Sequence, residues 1–162
     1  MQRNGALPRY AHAMSAERTD DAALFRWPLR VYWEDTDGAG IVYYANYLKY
    51  LERARTEWLR ALGCEQRSLA QREGVVFVVR SLAAQFLRPA RLDDALVVVV
   101  ERLREGPGFI EMTQHIARDN ERLFEAGVKL ACVRIDSFHP VRIPRSVREL
   151  LAGRSSGRPK SE

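Results

Sequence analysis

Between Glu34 and Tyr47 the chain reads Glu-Asp-Thr-Asp-Gly-Ala-Gly-Ile-Val-Tyr-Tyr-Ala-Asn-Tyr, a stretch dense in groups able to do chemistry. Glu34, Asp35 and Asp37 leave the end of an alternating apolar segment. Gly38 and Gly40 permit a tight turn, and a helical pattern begins soon after. The first turn of a helix presents amides without intrahelical partners and about half a positive charge. An oxygen that becomes negative in a transition state is stabilised there. A carboxylate beside it can activate water or attack a carbonyl directly. Together these make a minimal apparatus for cleaving an acyl bond. The same residue types also serve plainer ends, because Asp, Thr and Asn cap helices and glycine pairs mark turns. Tyr43, Tyr44 and Tyr47, with Trp27 and Trp33, suit a core or an interface as well as a substrate slot. Both readings stand on pattern alone.

Other chemistries lack their residues. His12, His115 and His139 are far apart and have no His-x-x-x-His or Cys-x-x-Cys partner, so no zinc spacing exists. No serine sits in Gly-x-Ser-x-Gly, and no phosphate loop ends in Gly-Lys-Ser/Thr. Gly38-Ala39-Gly40 opens like a dinucleotide fingerprint, but Tyr43 stands where the third glycine belongs. His115 reads as a partly exposed structural histidine on a strand. Cys64 and Cys132 read as reduced thiols, Cys132 as a small core residue.

Positioning the acidic segment requires a strand before it and a helix after it. Trp27, Leu29, Val31 and Trp33 alternate with Arg26, Arg30 and Glu34, the period of a half-buried strand. Tyr47, Leu51, Ala54, Trp58 and Leu62 form one helical stripe, so a helix is expected near Asn46 to Leu62 with Gly63 as its stop. A helical turn around Ser68 to Arg72 follows, then strands at Val75 to Leu87, Ala95 to Arg104, Phe109 to Arg118 and Leu123 to Asp136. The run from Ala95 to Val100 is apolar on both faces, as in a central strand. Pro144 opens a short helix, Arg145 to Leu151. The order implies an α+β domain with an antiparallel sheet. One long helix cannot shield five long strands, so a second copy of the chain is expected to cover part of the sheet or its edge.

The 162 residues, 46% apolar and 29% charged, suit one globular domain and exclude collagen-like, low-complexity and disulfide-scaffold classes. The longest stretch without a charge, Gly38 to Leu48, falls well short of the roughly 18 residues of a membrane span. Residues 1–23 contain Arg3, Arg9 and Arg18 but no secretory apolar run, and read as a flexible extension of a cytoplasmic protein. Residues 152–162 read as a second flexible tail. Twenty-six basic against 21 acidic residues leave +5, a modest bias toward anionic partners. Basic residues and aromatics are mixed along every segment rather than gathered in a stripe, which argues against a nucleic-acid binder.

The chain resembles the hotdog-fold thioesterases of the 4-hydroxybenzoyl-CoA thioesterase family, and among them the Tol-Pal system-associated acyl-CoA thioesterases. The likeness runs from Phe25 to about Val147. It rests on Phe25-Arg26-Trp27-Pro28, Arg30-Val31-Tyr32, Glu34-Asp35-Thr36-Asp37, Gly40-Ile41-Val42-Tyr43, Ala45-Asn46-Tyr47 and Glu52-Arg53-Ala54-Arg55-Thr56-Glu57. Phe77-Val78-Val79-Arg80, Pro89 to Asp94 and Pro140-Val141-Arg142-Ile143-Pro144 extend it. The resemblance implies a hotdog domain over residues 24–151, an antiparallel sheet wrapped around one long helix. It implies a homo-oligomer, either a dimer with continuous sheets or a dimer of dimers forming a homotetramer. It further implies hydrolysis of acyl-CoA without metal or cofactor. In that carry-over Asp37 is the catalytic carboxylate, as base or nucleophile, and the Tyr44 backbone N–H polarises the thioester carbonyl.

Two positions depart from the Tol-Pal-associated pattern. Tyr44 stands where histidine is usual, and Gly38-Ala39-Gly40 where Ala-Gly-Gly is usual. A side-chain role for that histidine does not transfer, whereas an amide role does. Arginine suits the phosphates of coenzyme A, so Arg80, Arg88, Arg91, Lys129 and Arg134 are candidates for its path. The rival reading is a module on the same fold that binds an acyl carrier protein or an envelope complex and hydrolyses weakly.

Overall fold

A computed structural model of the chain describes residues 23–153. Apart from Ala23, Ala152 and Gly153, the two ends expected to be flexible lie outside the described residues. Five antiparallel strands form one sheet: β1 (Phe25–Arg30), β2 (Val75–Phe86), β3 (Ala95–Glu105), β4 (Phe109–Arg118) and β5 (Glu121–Arg134). Their order is β1-β3-β4-β5-β2, which puts β2 at one margin of the sheet. The helices are α1 (Tyr44–Ala61), α2 (Gln66–Glu73) and α3 (Arg145–Ala152), with a 3-10 turn at Trp33–Asp35. This is the α+β arrangement expected from the pattern of elements. α1 begins two residues before the expected Asn46, and α2 is a full helix rather than one turn.

The stripe that predicted α1 is the face it buries: Tyr47, Leu51, Ala54 and Trp58 are all at most 3% exposed. Leu62 is half-buried. Gly63 ends the helix at φ 84°, where its N–H donates to Arg60 O and that of Cys64 to Leu59 O, both at 2.9 Å. That pair of bonds needs a left-handed residue, which glycine supplies without strain. Leu96, Val98 and Val100 of β3 and Met112 and Ile116 of β4 join the same core.

The first strand is shorter than its alternation suggests. β1 stops at Arg30, and Trp33 is 79% exposed instead of continuing the buried series. The cause is local. Asp35 Oδ2 accepts the Tyr32 N–H at 2.9 Å, and that bond turns the chain out of the sheet before Trp33 can reach it. His115 also departs from expectation, since it is buried, not partly exposed, with Nδ1 3.2 Å from the buried Glu101 carboxylate. Arg122 binds that same carboxylate at 2.7 Å, so His115 sits on β4 beside an ion pair that joins β3 and β5.

One polar clamp joins the helix to the sheet. Arg55 of α1 is 5% exposed and donates to Gln114 Oε1 at 2.9 Å and Glu52 Oε2 at 2.8 Å. Gln114 in turn donates to Leu51 O at 3.1 Å. Burial lowers the Arg55 pKa, and the Glu52 charge offsets part of that. Gln114→Ala would leave the buried guanidinium short of an acceptor and should cost about 2–4 kcal/mol in urea unfolding. Arg55→Leu combined with Gln114→Leu should recover most of the loss, because it removes the stranded charge as well.

Burial also raises several acids. The thiols of Cys64 and Cys132 are pushed up by desolvation. The Tyr50 hydroxyl is pushed up by burial first and then by the Asp35 carboxylate it faces. The unfolded chain releases these protons near the ordinary values of about 8.5 for Cys and about 10 for Tyr, while the folded chain retains them. Stability is therefore full below about pH 8.5 and falls as pH rises through these values. Tyr50→Phe should flatten the part of that fall above about pH 10, measured as unfolding free energy against pH.

Candidate active site

The acidic segment divides its labour between two aspartates. Where β1 ends, Val31 N–H donates to Asp94 O at 3.0 Å and Asp93 N–H to Val31 O at 3.1 Å, which hands the chain to the loop before β3. Asp35 then gathers the turn. Besides the Tyr32 amide on its carboxylate, its backbone oxygen accepts Tyr43 N–H and the Asn46 side-chain amide, each at 2.9 Å. It is 7% exposed, and it fixes the start of α1 against the 3-10 turn.

Asp37 is placed differently. Its N–H donates to Ile41 O and its own carbonyl accepts Gly40 N–H, both at 2.9 Å. Gly40 lies at φ 72°, and the Thr36 to Val42 bridge closes the loop. The Asp37 side chain is thereby held outward and exposed. Oδ1 accepts Ala39 N–H at 2.8 Å, and no hydrogen bond reaches Oδ2 among the described residues.

Neither aspartate caps α1. The N-cap is Tyr43, in extended conformation at φ −59° and ψ 132°, with no side-chain cap. Asn46 N–H is taken by Tyr43 O at 2.8 Å. The Tyr44 and Ala45 amides, ahead of the first intrahelical bond, meet no backbone acceptor among the described residues. The capping reading of Asp37 is thus set aside by geometry, and the segment presents an exposed carboxylate together with amides that meet no backbone acceptor.

Asp37, Tyr43 and Tyr44 line one cleft with Val42 and Tyr47. Phe86, Leu87, Arg88 and Pro89 form the opposite wall of this space of about 310 Å³. Hydrogen bonds hold the walls together: Ala90 N–H donates to the Tyr47 hydroxyl and Val42 N–H to Ala90 O, both at 2.9 Å. Leu87 and Arg88 amides share Leu123 O at 2.9 and 3.0 Å. The Tyr43 and Tyr44 rings meet at 4.7 Å. The Tyr44 side chain foremost, then burial and the Asp37 charge, push the Tyr43 hydroxyl pKa up. Burial does the same for Tyr47.

The sequence-predicted pair Asp37 and Tyr44 therefore shares one cleft. Of the five candidate cations only Arg88 lines it, paired with Glu121 at 2.7 Å. Arg80 is exposed on β2 and Arg134 at the end of β5, and Arg91 is exposed beyond the cleft wall. Lys129 is engaged by Glu111 at 2.8 Å and lies 4.2 Å from the Phe109 ring centroid. Pattern reasoning does not assign Phe86, Leu87 and Pro89 to the site. The only local signal is a strand that runs into proline. Among the described residues no three His, Cys, Asp or Glu side chains converge as a metal site, and no helix is long and apolar enough to cross a membrane.

Comparison with known proteins shows the family of the chain. The family model described as the thioesterase superfamily matches residues 39–125. The chain is 42% identical over 124 residues to the acyl-CoA thioesterase YbgC of Haemophilus influenzae, covering 76% of this chain and 91% of that protein. The YbgC acyl-CoA thioesterase of Helicobacter pylori strain J99 is 36% identical over 132 residues, covering 76% and 96%. Among solved structures, a probable thioesterase from Bartonella henselae superposes with a TM-score of 0.71 at 36% identity, over 74% of this chain and 98% of that one. The 1,4-dihydroxy-2-naphthoyl-CoA thioesterase Slr0204 of Synechocystis shares the fold, with a TM-score of 0.73 at 20% identity over 79% and 95%. With one sheet, one long helix against it and an acidic loop feeding that helix, the chain belongs to the thioesterase superfamily and is a hotdog-fold thioesterase.

Proposed function

We propose that this protein hydrolyses acyl-CoA to a carboxylic acid and free coenzyme A. The observation that carries the reading is that Asp37, with an exposed carboxylate, and Tyr44, the first residue of α1, line the same cleft. Relatives named acyl-CoA thioesterases, 42% and 36% identical, supply the substrate class.

The chemistry follows from the parts. The thioester carbonyl oxygen sits at the α1 N-terminus, where the Tyr44 N–H and the helix field favour the negative charge of a tetrahedral intermediate. Asp37 takes a proton from water as the water oxygen bonds to the carbonyl carbon. Collapse of the intermediate breaks the C–S bond, and the coenzyme A thiolate recovers that proton. In the nucleophilic variant Asp37 bonds to the carbon itself, and the C–S bond breaks to release the coenzyme A thiolate. Water then cleaves the resulting anhydride, returning the Asp37 carboxylate and giving the acid and a proton that the thiolate takes up. Arg88 at the rim is the cation placed to meet a phosphate of coenzyme A.

The finer assignments rest on the motifs. We place the protein in the Tol-Pal-associated subgroup, in the cytoplasm, as a homo-oligomer joined at the β2 margin, where Val79 and Leu82 are exposed. A dimer or a dimer of dimers satisfies the uncovered sheet. An acyl carrier protein is the partner the rival binding reading would require.

Asp37→Asn should lower thiol release from acyl-CoA esters by at least about 100-fold, and equal rates would remove Asp37 from the mechanism. Tyr44 offers a sharper test because it is the first residue of α1 and Tyr43 already has the extended geometry that proline demands of its predecessor. Tyr44→Pro should keep the helix yet fall about 10²–10³-fold in kcat relative to Tyr44→Ala, since only proline deletes the amide. Tyr44→Phe should stay near wild type. No turnover on any ester, with tight binding to an acyl carrier protein, would favour the binding module.

A further inference from the structure

The cleft ends on a set of rings whose arrangement limits what it can hold. Phe86 is the last residue of β2 and pairs with Phe124 of β5 across the ladder. Its ring stands edge-on to Phe124 at 5.0 Å, to Tyr47 at 5.7 Å and to Tyr44 at 6.5 Å between centroids. Behind it, Tyr47 stacks on Phe124 at 5.0 Å with planes 20° apart. Tyr47 and Phe124 are at most 3% exposed, whereas Phe86 is 55% exposed and faces the cleft.

The three rings differ in what holds them. Phe124 is locked in the core, and Tyr47 is pinned by the Ala90 N–H on its hydroxyl. Phe86 is more than half exposed and meets Tyr44, Tyr47 and Phe124 by ring edges, so of the three it is the ring that can be cut back with least loss of core. The carbonyl carbon must lie near Asp37 and the Tyr44 amide. An acyl group continuing from there along the apolar side of the cleft meets Phe86.

Resting on the thioesterase reading above, we infer that Phe86 is the specificity-determining residue that terminates the acyl pocket. It admits short or flat acyl groups and excludes longer chains. Each methylene that finds apolar cover adds about 0.8 kcal/mol, or about fourfold in affinity, so preference should climb with chain length and break where the chain reaches the ring.

The experiment measures binding as well as turnover, so that the inference does not stand or fall with hydrolysis. Affinities of S-alkyl-CoA thioethers from ethyl to hexadecyl are measured by calorimetry for wild type, Phe86→Ala and Phe86→Trp. The matching acyl-CoA esters are followed by thiol release. The expected result is a break in affinity that moves to longer chains in Phe86→Ala and to shorter chains in Phe86→Trp. Each affinity is read as a ratio to that of the ethyl thioether in the same variant, so a change common to all lengths does not move the break. An unmoved break, or a uniform loss at every length, would overturn the assignment and leave Phe86 as a packing residue. Failure of the wild type to turn over any ester would overturn the hydrolase reading, while the thioether series would still decide the role of Phe86.

Discussion

A carboxylate that is almost withdrawn from water must find donors, and the way Asp35 finds them organises the site. Its side chain bends the chain out of β1, and its backbone oxygen collects the Tyr43 amide and the Asn46 side chain, so strand end and helix start become one rigid unit. Losing any of these bonds would leave a buried polar group unsatisfied, which is why the geometry is tightly held. Asp37 inherits the result. Two residues further on, it emerges from a loop closed by its own backbone and projects into the cleft instead of capping the helix. One aspartate is consumed by structure so that the other can stay free.

The fold was largely legible because its periodicities are strong. The spacing of Tyr47, Leu51, Ala54 and Trp58 corresponds to the buried face of α1, and the four later strands fall where apolar runs and turn residues place them. Misreadings occurred where a local hydrogen bond overrode the pattern. Trp33 keeps the parity of a strand but sits in a 3-10 turn, since the Asp35 carboxylate competes for the Tyr32 amide that a strand would have used. His115 looks like a half-exposed strand residue, but its neighbours Glu101 and Arg122 come from other strands and could not be read from its own segment.

The candidate site was half legible. Asp37 and the start of α1 are adjacent in sequence, so residue types and a change of period suffice to pick them out. The far wall comes from residues 86–89, some forty positions away in the chain, and is delivered by the pairing of β2 with β5. Nothing in the local pattern of Phe86 or Leu87 distinguishes a cleft residue from any other end of an apolar strand. Among the basic residues, charge and type alone could not separate Arg88, which lines the cleft, from Lys129, which lies over the Phe109 ring.

β2 combines two features that interact. It lies at the margin of the sheet, with a register irregularity at Arg80, and its last residues form a wall of the cleft. A strand added along that margin would restrict β2, and so the position of the wall. Thermodynamic linkage makes such an effect reciprocal: a ligand that prefers the ordered wall must strengthen the added pairing by the same factor. Chain concentration and ligand occupancy would then be coupled variables, and an affinity measured at one protein concentration would describe only that point on a joint equilibrium.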